Sequence, residues 1–278
     1  MSGRSGRISS GWPIHATLFI SAAIVLVPVI WTVAAGFRTQ ISLLMGEVAF
    51  SPVLFNFHEV LFSKTSELLV NYRNSIIVGV ASTLLCVGAA TLAAFSLNRT
   101  RWRALPAGSC GRPASRPGRP ARPSAASAWF TMLRTVGLEN SFTGLILAHA
   151  TLNLPMAIWL MSVFVREVPK ELEEAALMDG ATTPVLLWNV VLPVIAPGLA
   201  ATSVLTFVFS WNEFAVSLAL TMKQTATVPV AIAKFAQEFE IQYTQMAASA
   251  GLAMLPALIV MLFAQRYIVK GLTQGAVK

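Results

Sequence analysis

Five long apolar runs separated by polar stretches dominate the chain: residues 14–37, 74–97, 142–165, 194–221 and 247–268. A hydrocarbon core about 30 Å thick needs roughly 20 apolar residues as helix, so each run predicts a membrane span. The first, "IHATLFISAAIVLVPVIWTVAAGF", carries no charge between Arg7 and Arg38. Residues 38–73 mix scattered charges with turn signals and suit an external loop. Pro155, Pro197 and Pro256 interrupt the later runs. Multispan proteins accept them because neighbouring helices and waters satisfy the freed carbonyls. Small residues recur in "GVAS", "GAAT" and "ASAGLA", as expected where helix backbones approach closely. The leading "MSGRSGRISSGWP" lacks a small-residue cleavage site after a short core, so the first run is expected to be a retained anchor.

Composition agrees with lipid as the solvent. Only 12% of the 278 residues are charged, 55% are hydrophobic and the mean hydropathy is +0.68, whereas a soluble domain carries about 25% charged residues. The net charge of +8 could suit nucleic acid, but six arginines between Arg101 and Arg122 supply most of it, and without them the balance is +2. The basicity is local, and nucleic acid is not an expected partner. Cys86 and Cys110 have no metal-ligand spacing, so no zinc or redox site is expected, and Cys86 reads as a small buried hydrophobe. His15, His58 and His149 form no constellation and are expected in packing or surface roles. No catalytic constellation is present, so the chain is not expected to be an enzyme.

One polar stretch carries a distinctive spacing. Residues 174–193 read "EAALMDGATTPVLLWNVVLP". Good helix formers run from Lys170 to Met178, Asp179–Gly180 supplies a stop, and Thr183 offers an N-cap with Pro184 in the first turn. Residues 166–180 hold five acidic and two basic residues, too polar to span. Leu172, Ala175, Ala176 and Met178 give the helix an apolar side that a partner's groove can grip.

The full spacing resembles the cytoplasmic coupling loop of ABC-importer permeases, here residues 166–193. That family has Glu-Ala-Ala, three residues, Gly, nine residues, an aliphatic residue, any residue, then Leu-Pro. This chain has Glu174, Ala175 and Ala176, then Gly180, Val190, Leu192 and Pro193, with Val190 in place of the usual Ile. "SWNEF" at 210–214 and the C-terminal "QRYIVKGLTQGAVK" resemble the carbohydrate-uptake, maltose-transporter branch. The resemblance implies an all-α polytopic membrane protein of six-span ABC importer permease architecture in a bacterial or archaeal plasma membrane. It implies that the loop helix docks on a separate ATP-hydrolysing subunit. Glu174 would make polar contact there, Ala175 and Ala176 would allow close approach, and Asp179 and Gly180 would set the bend. The implied partners are a second permease (as a heterodimer), two ATPase subunits, an external solute-binding protein and a sugar. The chain lacks G-x-x-x-x-G-K-[ST], so no cofactor is expected on it and ATP with magnesium belongs to the partner.

Trp211, Asn212 and Glu213 fall late in the run 194–221. Polar groups in a span usually face a pathway or partner, and the alternative is the headgroup region with Trp211 as interfacial anchor. Two other readings stay open: an amino-acid or peptide importer of the same architecture, and an ion-coupled secondary transporter. Glu213 is nearly the only intramembrane acid the latter would have.

Five spans conflict with charge. Arg4 and Arg7 put the N-terminus inside, and Arg99, Arg101 and Arg103 belong inside after two spans. Without a crossing before Phe142, the loop 166–193 would fall outside. Residues 104–128 are long enough to cross, but their four arginines and five prolines make a helix through lipid untenable. The Arg/Pro/Gly/Ala/Ser content reads like GC-rich coding DNA out of frame, so a corrupted third span between two compensating frameshifts is expected. The alternative is a disordered cytoplasmic linker.

Overall fold

The computed structural model describes residues 12–63, 66–99, 131–236 and 241–274. The segment 104–128, with Cys110, lies outside the described residues. Among the described residues every regular element is helical. In chain order the helices are α1 (Trp12–Gly36), α2 (Gln40–Leu44), α3 (Phe55–Phe62), α4 (Leu68–Arg99) and α5 (Phe142–Glu167). They continue with α6 (Lys170–Met178), α7 (Thr183–Val185), a π-helical turn (Leu186–Val191), α8 (Leu192–Trp211), α9 (Ala215–Leu220), α10 (Val228–Lys234) and α11 (Tyr243–Gln274). Five stretches among them are long and apolar enough to cross a membrane.

Three expected boundaries differ in the structure. The loop 38–73 contains α2 and α3, and its last six residues already belong to α4. The run 194–221 is not one span: α8 ends at Trp211 and the chain becomes helical again only at Ala215. Asn212 Nδ2 donates to the Val208 carbonyl (2.8 Å) and Glu213 Oε1 accepts from the Val216 N–H (2.9 Å). Polar side chains bonded to nearby backbone compete with helix continuation, and hydrophobicity does not register that competition. The last run also begins earlier than 247, at Tyr243.

The described chain divides into two compact units. In the first (residues 1–66 and 232–254), α1 turns into a short polar knot. Asn56 is buried there; its Nδ2 donates to the carbonyls of Gly36 (2.8 Å) and Arg38 (2.7 Å), and its Oδ1 accepts from Thr244 Oγ1 (3.2 Å). The Arg38 guanidinium lies over Phe50, 4.2 Å from the ring centre, and donates to the Glu47 carbonyl (2.9 Å). The desolvated cation thus has a ring face and an acceptor in place of water. Most of α1 is exposed apolar surface, as suits a helix against lipid.

In the second unit (residues 67–231 and 255–278), α4 and α5 pack side by side and parallel. Val78 meets Leu145 and Ala148 near one end; Phe95 shares a core with Met161 and Val165 near the other. α8 runs the opposite way, with Ile195 in the Phe95 core and Ser210 against Ser82. A methyl on Gly198 would overlap the Phe164 ring, so only glycine lets α8 approach α5 this closely. α4 and α5 thus both end near the loop 166–193, and α8 starts from it.

Candidate functional site

α6 follows Pro169, and Glu171 and Glu173 in its first turn face the positive end of the helix dipole. It ends in a Schellman turn: the Gly180 N–H bonds the Leu177 carbonyl (3.0 Å) and the Ala181 N–H bonds the Ala176 carbonyl (3.0 Å). Gly180 holds φ at +83°, a left-handed conformation that glycine adopts without Cβ strain. The next start differs from expectation. The cap is Thr182, not Thr183, and no side chain bonds there; the Leu186 N–H reaches the Thr182 carbonyl instead (2.9 Å). The Leu192 N–H then bonds the Leu187 carbonyl, five residues back. This wider turn comes just before Pro193, which has no N–H to continue the ordinary ladder.

The two faces of α6 differ sharply. Glu174, Ala175, Asp179 and Gly180 are exposed, and Met178 is 88% exposed. Leu177 and Trp188 extend this exposed apolar patch. Ala176 is half-buried and packs in part on the protein's own core. Leu192 also packs inward, and Pro193 is exposed in the first turn of α8.

Glu173, beside Glu174 in sequence, is buried. Its carboxylate lies 2.5 Å from Arg99 Nη2. The same nitrogen donates to the carbonyls of Val165 (2.9 Å) and Val168 (3.2 Å). Carbonyls at a helix end lack the usual partner four residues on; the Val168 N–H reaches Val165 only at 3.4 Å, and one guanidinium serves both carbonyls. Sequence reading placed Arg99 only as a span flank and passed over Glu173. The available signal was an acid in an inward position, three residues before Ala176, following an arginine at a span end.

The second group of expected residues lies at the other end of α8. Twenty residues separate Leu192 from Trp211, about 30 Å of helix. Trp211 is buried, stacked near Phe207 with ring centres 5.9 Å apart and edge-on to Tyr72 at 5.9 Å, so it is no interfacial anchor. Asn212 is exposed and Glu213 half-buried; both serve the local helix ends described above. Next to them lies a chain of neutral polar groups. Ser82 Oγ donates to the Gly79 carbonyl (3.2 Å) and meets Ser210 Oγ at 2.9 Å. His149 Nδ1 lies 2.8 Å from Ser210 Oγ, and Nε2 lies 3.0 Å from Ser217 Oγ. One assignment satisfies every group: Ser82 donates to Gly79, Ser210 to Ser82, Nδ1–H to Ser210, and Ser217 to Nε2. His149 therefore bridges the two helices on either side of the break after Trp211, a role sequence reading did not foresee. The turn that follows is held by Asn74 Nδ2, which donates to the carbonyls of Gln224 (2.9 Å) and Ala226 (3.1 Å). Asn140 Oδ1 accepts from the Met222 N–H (3.0 Å) and the Thr225 hydroxyl (2.6 Å). Irregular backbone at membrane depth persists only when protein groups satisfy it in this way. Among the described residues no cluster of His, Cys, Asp and Glu could hold a metal ion.

An exposed polar helix and its bend, set between helices long and apolar enough to cross a membrane, mark a multi-pass membrane protein. The chain belongs to the binding-protein-dependent transport system inner membrane component family, whose model matches residues 123–274. The trehalose transport system permease protein SugB of Mycobacterium tuberculosis is 34% identical over 279 residues, 98% of each chain. The trehalose/maltose transport system permease protein MalG of Thermococcus litoralis is 32% identical, covering 93% of this chain and 94% of the relative. Among solved structures, a bacterial ABC transporter involved in import of the acidic polysaccharide alginate matches with a TM-score of 0.70 at 23% identity, covering 96% of this chain and 99% of that one. The family and the apolar helices make this a multi-pass plasma-membrane protein and a non-catalytic transport subunit.

Proposed function

We propose that the chain is the permease subunit of an ATP-driven importer for a sugar or oligosaccharide, coupled to its ATPase through the exposed face of α6. The observation that carries this is the pairing of that face, with Glu174 and Met178 outward, with full-length relatives named as trehalose and maltose permeases. ATP with magnesium is bound by a separate subunit, which closes on nucleotide and pushes on α6. A second permease, two ATPase subunits and an external sugar-binding protein complete the assembly. The substrate crosses by alternating access, handed over from the binding protein.

The test is uptake of radiolabelled trehalose and maltose into proteoliposomes holding the assembled complex. Uptake is expected to need ATP and to persist when ion gradients are collapsed. Uptake driven by an ion gradient without ATP would overturn the reading in favour of secondary transport. A second expectation concerns 104–128. Resequencing across codons 100–130 is expected to return two compensating shifts and an apolar third span. The chain as printed is expected to express weakly or to lose transport, and robust uptake by it would contradict the frameshift.

A further inference from the structure

We propose that Arg99 and Glu173 form the joint through which movement of α6 reaches the membrane helices. This rests on the importer reading above and assigns positioning roles to two residues outside the family spacing. Arg99 is the last residue of α4. Through one nitrogen it holds α6 at Glu173 and the end of α5 at the Val165 and Val168 carbonyls. Asn98 Oδ1, one residue earlier, accepts from Arg166 Nε (2.7 Å), a second tie between the same two helix ends. The charged side chains are only 15% and 10% exposed. Apolar contacts can slide at little cost, but pulling apart a desolvated ion pair leaves two uncompensated charges and is strongly resisted. Neighbouring glutamates thus divide the labour: Glu174 faces outward to be gripped, and Glu173 transmits the displacement inward.

A merely structural pair would behave differently, because buried ion pairs can often be replaced by apolar residues of similar size with no loss of stability. The experiment measures sugar taken up per ATP hydrolysed in the reconstituted complex, with co-purified ATPase subunit as the control for assembly. Glu173→Gln and the double variant Arg99→Met/Glu173→Leu are expected to assemble and hydrolyse ATP while uptake per ATP falls at least about tenfold, the scale set by losing a buried pair. Arg99→Lys, whose ammonium can still meet all three acceptors, is expected to keep most coupling. An unchanged ratio in the double variant would overturn the proposal, and so would failure of the double variant to assemble, since the pair would then serve folding. These variants are made in the chain with its third span restored; if that restored complex neither binds an ATPase nor uses ATP, the importer reading itself fails, and that outcome is separately visible.

Discussion

The two ends of α8 solve opposite problems with different chemistry. At the Leu192 end, one half-buried cation and one buried carboxylate tie three helix termini together. At the Trp211 end, hydroxyls, an imidazole, carboxamides and the Glu213 carboxylate hold a broken helix and the turn beyond it, and no charge enters the hydrogen-bond chain from Ser82 to Ser217. A neutral hydrogen-bond chain satisfies irregular backbone locally and can rearrange by rotating hydroxyls. An ion pair cannot rearrange cheaply, which suits an element that must move as a unit with its neighbours. One end is therefore built to carry displacement and the other to hold a shape.

The largest predicted effect comes from destroying the frame common to both ends. Gly198→Leu would drive a side chain into Phe164, and little monodisperse protein is expected after detergent extraction, measured by size-exclusion yield. His149→Phe separates the two ends. It leaves Ser210 and Ser217 without their ring partner, at about 1–3 kcal/mol per stranded buried group. A clear drop in melting temperature is expected with ATPase co-purification unchanged; loss of co-purification would show that the ends are not independent. Gly180→Ala places a Cβ at φ +83°, at a cost of about 1–2 kcal/mol. It should lower ATPase binding with only a small drop in melting temperature, because the backbone is strained but the added methyl meets nothing within 4 Å. The smallest effect is expected at the exposed Lys223–Glu67 pair (2.9 Å). The hydrogen bond that Lys223 donates to Glu67 raises the Lys223 pKa, so the contribution is present at neutral pH and fades only as alkaline pH removes the ammonium's proton. Solvent screens such a pair, and Lys223→Ala should leave the melting temperature where it is.

Much of this was legible in the chain. Apolar length marked the positions of the long helices, and the spacing from Glu174 to Pro193 marked the exposed loop, including its stop at Gly180. What escaped were properties of neighbours in space. A helix turns about 100° per residue, so adjacent glutamates face different surroundings, and only the end of α4 shows that Glu173 is the inward one. Trp211 looked interfacial because aromatic residues gather there, yet Tyr72 and Phe207 enclose it. His149 looked solitary because its partners lie 61 and 68 residues away. The break at Asn212 was hidden by hydrophobicity, which reports the solvent a segment prefers and not whether its backbone stays helical.

The division between Glu173 and the outward face of α6 is tested most directly by co-purification of the ATP-hydrolysing subunit with three variants. Glu174→Arg and Met178→Glu are expected to release it, because both alter the exposed face. Glu173→Gln is expected to retain it at the unmodified level. Release by Glu173→Gln with retention by the other two would contradict the account, since the partner would then be gripping the side of α6 that the structure buries.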